Sequence, residues 1–435
     1  MSKSFYFYDL ETSGLDPRSD RIMQFAGQRT DLDFNPIGEP QNILVRLDED
    51  TLPGPYAIMV TGITPQSTLQ DGMAEHEFCR YFIEEIATPD TTIMGYNSVR
   101  FDDEFMRHTL WRNFYDPYEW QWKNDRSRWD LLDVVRMTRA LRPEGINWPV
   151  TQDGHSTNRL ELITKLNGIE HEHAHDALAD VVALIEVTKL IKSHQPQLFD
   201  FLYKLRNKRA VSNLVNLEHP QPFVYASGRY SGKHEKTTVA YPVAPAENGA
   251  VLVFDLRHNA DELLTGEAEA RKAGAIDPKK PWREREPWEK NYFPIIKRLQ
   301  YNHCPAVAPL GVLEKENGWE KIGLSKEIVE QNLRSLLKHP ELVQAVAAKT
   351  KRDFLASDDP DAALYDGFLE QQDRILCAAV RNNDENDLAD FHPRFLDERL
   401  SELLLHYKGR SYPTSLDSDE AAKREEYRLQ RLQRQ

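Results

Sequence analysis

The chain is short of cysteine, of long apolar runs and of net positive charge, and each shortage closes off a class of protein. Its 435 residues include three cysteines, Cys79, Cys304 and Cys377, too far apart and odd in number for a disulfide framework or a Cys-x-x-Cys metal site. They read as reduced structural thiols. No apolar stretch approaches the ~18 residues of a membrane span. The opening Ser4-Phe5-Tyr6-Phe7-Tyr8 has neither the basic flank nor the small-residue cleavage site of a secretory leader. A cytoplasmic protein away from membranes is expected, and a monomer is the simplest assembly. A formal net charge of −15 excludes a surface coated in positive charge, so any contact with nucleic acid has to be a local basic track. Internal repeats and long low-complexity tracts are missing too.

What is there fills several domains, at roughly 100–200 residues each. Residues 5–9, 22–30 and 42–47 are short apolar or alternating stretches separated by turns such as Ser13-Gly14-Leu15-Asp16-Pro17, which predicts an antiparallel meander. A helical period then covers 75–87, a short strand 91–95, and helical periods follow at 102–114, 130–141, 159–167 and 176–193. Strands followed by alternating helices mean a mixed α/β sheet. Beyond a helical continuation to about Arg209, strand-like runs at 222–226, 237–243 and 250–256 suggest a small β-rich domain. Helical periods return at 325–337, 340–349, 362–380 and 394–407, before a charged stretch at 419–435. The predicted division is a mixed α/β part over 1–196, a β-rich part over 197–349 and a helical part over 350–435.

The chemistry concentrates in three segments. In Tyr8-Asp9-Leu10-Glu11-Thr12 two carboxylates alternate with an apolar residue at a strand end, and period two puts Asp9 and Glu11 on one face. Alone this is weak, because a chain with 70 acidic residues contains Asp-x-Glu by chance. In Asn97-Ser98-Val99-Arg100-Phe101-Asp102 a strand ends in a loop and an aspartate opens the next helix, where the dipole alone would favour it. In His173-Ala174-His175-Asp176-Ala177-Leu178-Ala179-Asp180 a histidine precedes a helix that carries Asp180. Five residues diverge by ~140° on a helix, so His175 must sit in the preceding loop to face the same site. Together Asp9, Glu11, Asp102 and Asp180 form a hard-oxygen set able to hold two divalent ions ~3.5–4 Å apart. Burying that charge without a cation would be prohibitive.

The order and spacing of these five residues resemble the DEDD exonucleases of ribonuclease-H-like fold, in the branch with a histidine five residues before the last aspartate. Asn113-Phe114-Tyr115-Asp116-Pro117-Tyr118, Ser127-Arg128-Trp129-Asp130, Arg142-Pro143-Glu144-Gly145-Ile146-Asn147-Trp148-Pro149 and Leu364-Tyr365-Asp366-Gly367-Phe368 narrow the resemblance to the bacterial exodeoxyribonuclease I family. It implies a ribonuclease-H-like domain with a mixed five-stranded sheet, a Src-homology-type barrel and a C-terminal helical domain, together embracing single-stranded DNA. It also implies 3′-to-5′ release of nucleoside 5′-monophosphates with two Mg2+ ions, for which Mn2+ can substitute. Members usually continue past the position of Gln435, which bears on processivity.

In this reading the four acids position the ions, and His175, with a pKa near ~6.5, takes the proton of the attacking water. Arg136, Arg139 and Arg142 recur every third residue and form a basic stripe, supported by Arg107 and Arg128, although each could equally be an ordinary solvated helix residue. Arg159 is the preferred phosphate clamp. Between 111 and 129 aromatics interleave with basic residues, so Tyr118 or Trp122 is expected to stack on unpaired bases, against the alternative that these rings build a core. Thr12 and Ile63, in Thr61-Gly62-Ile63-Thr64, resemble positions that hold the terminal nucleotide. The resemblance further implies docking of the acidic tail of single-strand-binding protein, with Lys204 to Arg209 or Arg229 to Lys236 as candidate basic clusters. A related ribonuclease or proofreading exonuclease, and a catalytically silent single-strand-binding module, are the competing readings.

Overall fold

The computed structural model describes residues 3–171, 176–261, 295–340 and 356–434. The chain forms two compact units: residues 1–129, 170–186 and 354–435 make the first, and 130–169 with 187–353 the second.

The elements of the amino-terminal half are β1 (Ser4–Thr12), β2 (Ile22–Thr30), β3 (Gln41–Leu44), α1 (Pro55–Thr61), α2 (Pro65–Asp71), α3 (Glu75–Tyr81), β4 (Thr91–Gly95), α4 (Asp102–Arg112), β5 (Ser127–Asp130), α5 (Leu131–Leu141), α6 (Leu160–Leu166) and α7 (Ala177–His194). There follow α8 (Pro196–Lys204), α9 (Lys208–Leu214), β6 (Phe223–Ala226), β7 (Thr237–Ala246), β8 (Ala250–Asp255), β9 (Ile296–Gln300), β10 (Ala306–Pro309), α10 (Gly318–Lys321) and α11 (Lys326–Leu337). The carboxyl-terminal helices are α12 (Gln371–Asn382), α13 (Glu385–Ala389), α14 (Arg399–Ser411) and α15 (Ser418–Arg434).

In the first unit the sheet runs β3-β2-β1-β4-β5. β1 pairs antiparallel with β2, Asp9 lying opposite Ala26, and parallel with β4, Phe7 lying opposite Met94. The expected meander is therefore β1 to β3, and β4 makes the sheet mixed. β1 is central because its aromatic run can be covered on both faces. It is buried from Ser4 to Tyr8, and only then does it alternate, leaving Asp9 and Glu11 half-buried between buried Leu10 and Thr12. Tyr6, Tyr8 and Phe25 of the sheet meet Phe78 and Phe82 of the following helical stretch and Phe105 of α4 in one aromatic core.

The sequence reading missed α1, α2 and β5. α1 buries no residue, so it has no apolar period to detect, and β5 is four residues of mixed polarity. In the second unit five antiparallel strands run β10-β6-β7-β8-β9. Three were anticipated; β9 escaped because its Ile-Lys-Arg-Leu-Gln mixes charge into the alternation. The helix expected at 340–349 falls, beyond its first residue, outside the described residues. The one expected over 362–380 is broken: a tight turn at Pro360–Tyr365 gives way to α12, with Gly367 between them.

The first unit is also held by buried charge. Asp361, fully buried, accepts from Arg21 Nη2 at 2.9 Å and from Arg410 Nη1 at 2.7 Å, and lies 3.2 Å from His406 Nδ1. Burial alone would raise its pKa, but Arg410, His406 and Arg21 hold the carboxyl well below the usual range. Asp50 accepts likewise from Arg424 at 2.7 Å, and Glu75 from Arg112 at 2.8 Å. The Arg21–Asp361 and Asp50–Arg424 pairs tie the carboxyl-terminal region to the loops around β1, and Glu75–Arg112 ties α3 to α4. Removing one partner leaves the other charged and dry. Asp361→Asn is therefore expected to lower the unfolding free energy by ~3–5 kcal/mol in a denaturant titration. A loss below about 1 kcal/mol would show that Arg21 and Arg410 find other partners.

Candidate active site

Each acid is delivered by the end of an element. Glu11 lies opposite Gln24, and the ladder shifts register between Glu11 and Thr12, so β1 stops being a regular strand immediately past the acid. β4 ends at Gly95, where an added Cβ would lie 2.5 Å from Ser98 Cβ and 3.4 Å from the Tyr8 carbonyl oxygen. The missing side chain lets the chain turn tightly beside β1, through left-handed Asn97, before Asp102 opens α4. Next to it Asp103 turns inward, accepting from the Tyr8 hydroxyl at 2.6 Å and from Arg128. α7 begins at Asp176, whose carboxylate accepts from the Leu178 and Ala179 amides at 3.1 and 3.0 Å, and Asp180 follows one turn later.

Carboxylate oxygens of Asp9, Glu11 and Asp180 lie within 4.8 Å of one another. Burial, then Asp102 and Asp180, raise the pKa of Asp9 well above the usual carboxylate range. Burial, then Asp9, Asp180 and Asp176, push Glu11 up to about 8. An all-oxygen donor set with mutually repelling charges fits a hard divalent cation. His175 lies outside the described residues. Instead, His171 brings Nε2 to 2.6 Å from Asp180 Oδ1, a contact the sequence reading did not anticipate, because His171 is nine residues away and outside the motif.

The expected strand-binding residues divide sharply. Arg107 is buried, paired with Glu104, donating to Gln121 at 2.8 Å and stacked over Tyr118 at 5.4 Å. Arg128 is buried against Asp103. Both were expected on an open phosphate track, and both point inward because a neighbouring acid neutralises them. The α5 stripe is likewise engaged, Arg136 with Asp133 at 2.5 Å, Arg139 with Glu235 at 2.5 Å and Arg142 with Glu316 at 3.2 Å. Arg159 precedes α6 with its side chain 65% exposed, paired with Glu161. Thr12 and Ile63 are buried; the Thr12 hydroxyl donates to the Gly14 carbonyl at 2.7 Å, and Ile63 packs with Met23 and Leu47.

Of the alternating rings, Trp120 is core, Tyr118 is half-buried under Arg107, and Trp122 is 63% exposed. Tyr118 also lines a cavity of about 270 Å³ with Trp111, Tyr115, Arg374 and Arg381, and Phe368, 88% exposed, stands at it. Phe368 falls within the stretch 362–380 expected to be helical, where periodicity places it on a helix face, whereas the helix begins only at Gln371 and leaves the ring on the preceding turn.

This fold and acid cluster define a DEDD-type exonuclease. Residues 6–188 match the family model described as an exonuclease, 206–352 that of the exonuclease I SH3-like domain and 358–435 that of the exonuclease I C-terminal domain. The chain is 40% identical over 435 residues to exodeoxyribonuclease I of Haemophilus influenzae, covering 99% of this chain and 91% of the relative. It superposes on Escherichia coli exonuclease I in complex with a dA16 oligonucleotide with a TM-score of 0.91 at 39% identity, covering 99% of this chain and 91% of that one. A zinc-bound form of the E. coli enzyme–single-stranded DNA complex matches with a TM-score of 0.91 at 38% identity and the same coverage. The chain belongs to the exodeoxyribonuclease I family, within the metal-dependent DEDD exonucleases.

The raised pKa of Glu11 gives the site a pH signature without metal. The folded state holds this proton more tightly than the unfolded chain, so its contribution is fully present below the unfolded value of ~4.3 and is lost as pH rises through the folded value. In chelator, Glu11→Gln is expected to melt a few degrees above wild type at pH 8, the gap closing by pH 5. Magnesium should raise the melting temperature of wild type more than that of the variant. A variant less stable than wild type at pH 8 in chelator would mean that the acids do not repel.

Proposed function

We propose that Asp9, Glu11, Asp102 and Asp180 hold two divalent ions, Mg2+ with Mn2+ able to substitute, against the terminal phosphodiester of a DNA strand. By family the chain is a 3′-to-5′ exonuclease of single-stranded DNA. The observation that carries the metal reading is the convergence of the Asp9, Glu11 and Asp180 carboxylates, with burial first and neighbouring acids second driving up the pKa values of Asp9 and Glu11. When bound, such ions supply Lewis acidity to the scissile phosphate and acidify the attacking water.

The chain's own residues do the rest. Asp9 and Glu11 sit on the end of β1 that pairs with β2, just past the stretch paired with β4, and give the site its floor, while Asp102 and Asp180 close it from two helix starts. His175, four residues from His171 and five before Asp180, is the proposed base, and its imidazole would take the water's proton at neutral pH. Thr12 and Ile63 are proposed to back the terminal nucleotide through backbone and apolar surface. Trp122 and Tyr118 are proposed to stack on unpaired bases, a role supported by the exposure of Trp122. Arg159 is the proposed phosphate clamp because its guanidinium is the most open of the six arginines; Arg136 and Arg142 would bind phosphate in exchange with their carboxylates.

The division at 196/197 and 349/350 is proposed as the domain plan. A cytoplasmic setting is supported by three buried free thiols, and no helix among the described residues is long and apolar enough to cross a membrane. Docking of an acidic protein tail on Lys204 to Arg209 or Arg229 to Lys236 remains a proposal by family.

The decisive experiment incubates the protein with 5′-labelled single-stranded DNA, the same sequence as RNA and as blunt duplex, with magnesium or with chelator. Magnesium-dependent shortening of the single-stranded DNA alone is expected; preference for RNA would favour a ribonuclease. Asp9→Ala and Asp180→Ala should each lower turnover on the order of a thousandfold or more while DNA binding in chelator persists. Normal turnover in either variant would sink the assignment.

A further inference from the structure

Two loops leave the acid cluster, and one arginine of α15 joins them. The first runs from Ser13 to Arg21 directly after β1. The second carries Asp50 to Gly54. Both close on Ser13, two residues beyond Glu11: its amide donates to the Arg21 carbonyl at 2.8 Å, its hydroxyl accepts from the Arg21 amide at 2.9 Å, and its carbonyl accepts from the Gly54 amide at 2.8 Å. At the outer end of each loop stands an exposed apolar side chain, Leu15 at 69% and Leu52 at 57%. Leu15 lies three residues past the end of β1 and Leu52 two residues before the Gly54 amide that Ser13 holds, so both leucines are tied through Ser13 to the strand that carries Asp9 and Glu11.

Arg431 is buried between these loops although it lies on the last helix. Its Nε donates to the Asp50 carbonyl at 3.1 Å and lies 3.5 Å from Asp50 Oδ1, while its Nη2 donates to the Ser19 carbonyl. Its remaining nitrogen reaches the Tyr427 hydroxyl at 3.3 Å and Asp359 at 3.5 Å. The planar fork thus spans both loops with one rigid group, which a lysine could not do. Arg424, two turns earlier on the same face of the helix, donates to Asp50 at 2.7 Å, on the second loop alone.

We propose that Arg431 is a positioning residue: by fixing the Ser13–Arg21 and Asp50–Gly54 loops to one another it sets the rim, with Leu15 and Leu52, against which the terminal nucleotide is seated. The inference rests on the proposed acid cluster as the site of cleavage. It assigns a substrate-seating role to the carboxyl-terminal helix, whose arginines would otherwise read as structural. Glu11 itself is held by its pairing with Gln24, so loosening the rim should weaken nucleotide placement and leave metal binding intact.

The test compares Arg431→Gln, Arg431→Lys and Arg424→Gln in the full chain, each checked for folding by circular dichroism. Two readouts are taken: steady-state cleavage of a single-stranded oligonucleotide, and Mn2+ binding without DNA by electron paramagnetic resonance. Arg431→Gln is expected to raise KM about tenfold with kcat little changed, because a displaced rim costs alignment rather than chemistry. Mn2+ affinity should be that of wild type, and Arg424→Gln should cleave within about twofold of wild type. If Arg431→Gln does not fold, Arg431→Lys decides, since it keeps the charge yet cannot reach both loops and should still raise KM. Unchanged KM in the folded Arg431 variants would overturn the proposal. So would parallel losses in Arg424→Gln, or a joint fall of kcat, KM quality and Mn2+ affinity, which mark general destabilisation. Absence of cleavage by wild type would overturn the underlying reading instead.

Discussion

Carboxylates whose oxygens gather within 4.8 Å of one another repel, and in a half-buried pocket water screens that repulsion poorly. At the end of β1 the chain accepts this cost deliberately: Asp9 and Glu11 come from one strand, Asp180 from the first turn of α7, and Asp102 from the first residue of α4. The rest of the first unit is arranged so that the acids cannot move apart. β1 is paired with β4 up to Phe7 and with β2 through Glu11, Gly95 lets the Asp102 turn pack against it, and Asp176 caps α7 so that Asp180 is fixed one turn in. A flexible site would relieve the strain by opening. This one can relieve it only by taking up protons or cations.

The contrast with other buried acids in the same unit sharpens the point. Asp361 and Glu75 are as buried as any residue here, yet arginines hold both carboxyls below their ordinary range, Glu75 at about 2. Asp9 and Glu11 shift the opposite way, with only acids among the groups that move them. Asp359, Asp361 and His406 also bring potential ligand atoms together. There, however, Arg21 and Arg410 both donate to Asp361 Oδ2 and His406 lies against Oδ1, so a cation would have to displace these partners. What separates the two clusters is the set of cationic groups already seated on Asp361.

The same distinction explains what the sequence could and could not convey. Period two in Asp9-Leu10-Glu11, the helix start at Asp102 and the spacing to Asp180 follow from backbone geometry, which local sequence encodes, and they were legible. The arginines were not. Arg107 and Arg128 carry the charge a phosphate track needs, but whether a cation faces solvent depends on which acid the fold brings to it, and Glu104 and Asp103 claimed these two. α15 was read as a charged stretch because its inward positions include Arg424 and Arg431 rather than leucines. Hydrophobic periodicity cannot see a helix that docks through guanidinium groups.

That allocation bears on how an acidic chain holds a polyanion. Each arginine singled out for phosphate contact already has a carboxylate partner: Glu104, Asp103, Asp133, Glu235, Glu316 and Glu161 for Arg107, Arg128, Arg136, Arg139, Arg142 and Arg159. Binding a phosphate there exchanges one anion for another, so the electrostatic gain is smaller than for an uncommitted cation, and fewer counterions are displaced from the strand per contact. Exposed rings carry no such debt. Trp122 and Phe368 present open faces, and base stacking contributes roughly 1–3 kcal/mol per base whatever the sequence. A strand gripped mainly by its bases, with phosphates steered only where an ion pair gives way, can slip forward one nucleotide at a time, because every base offers the same face to the same ring.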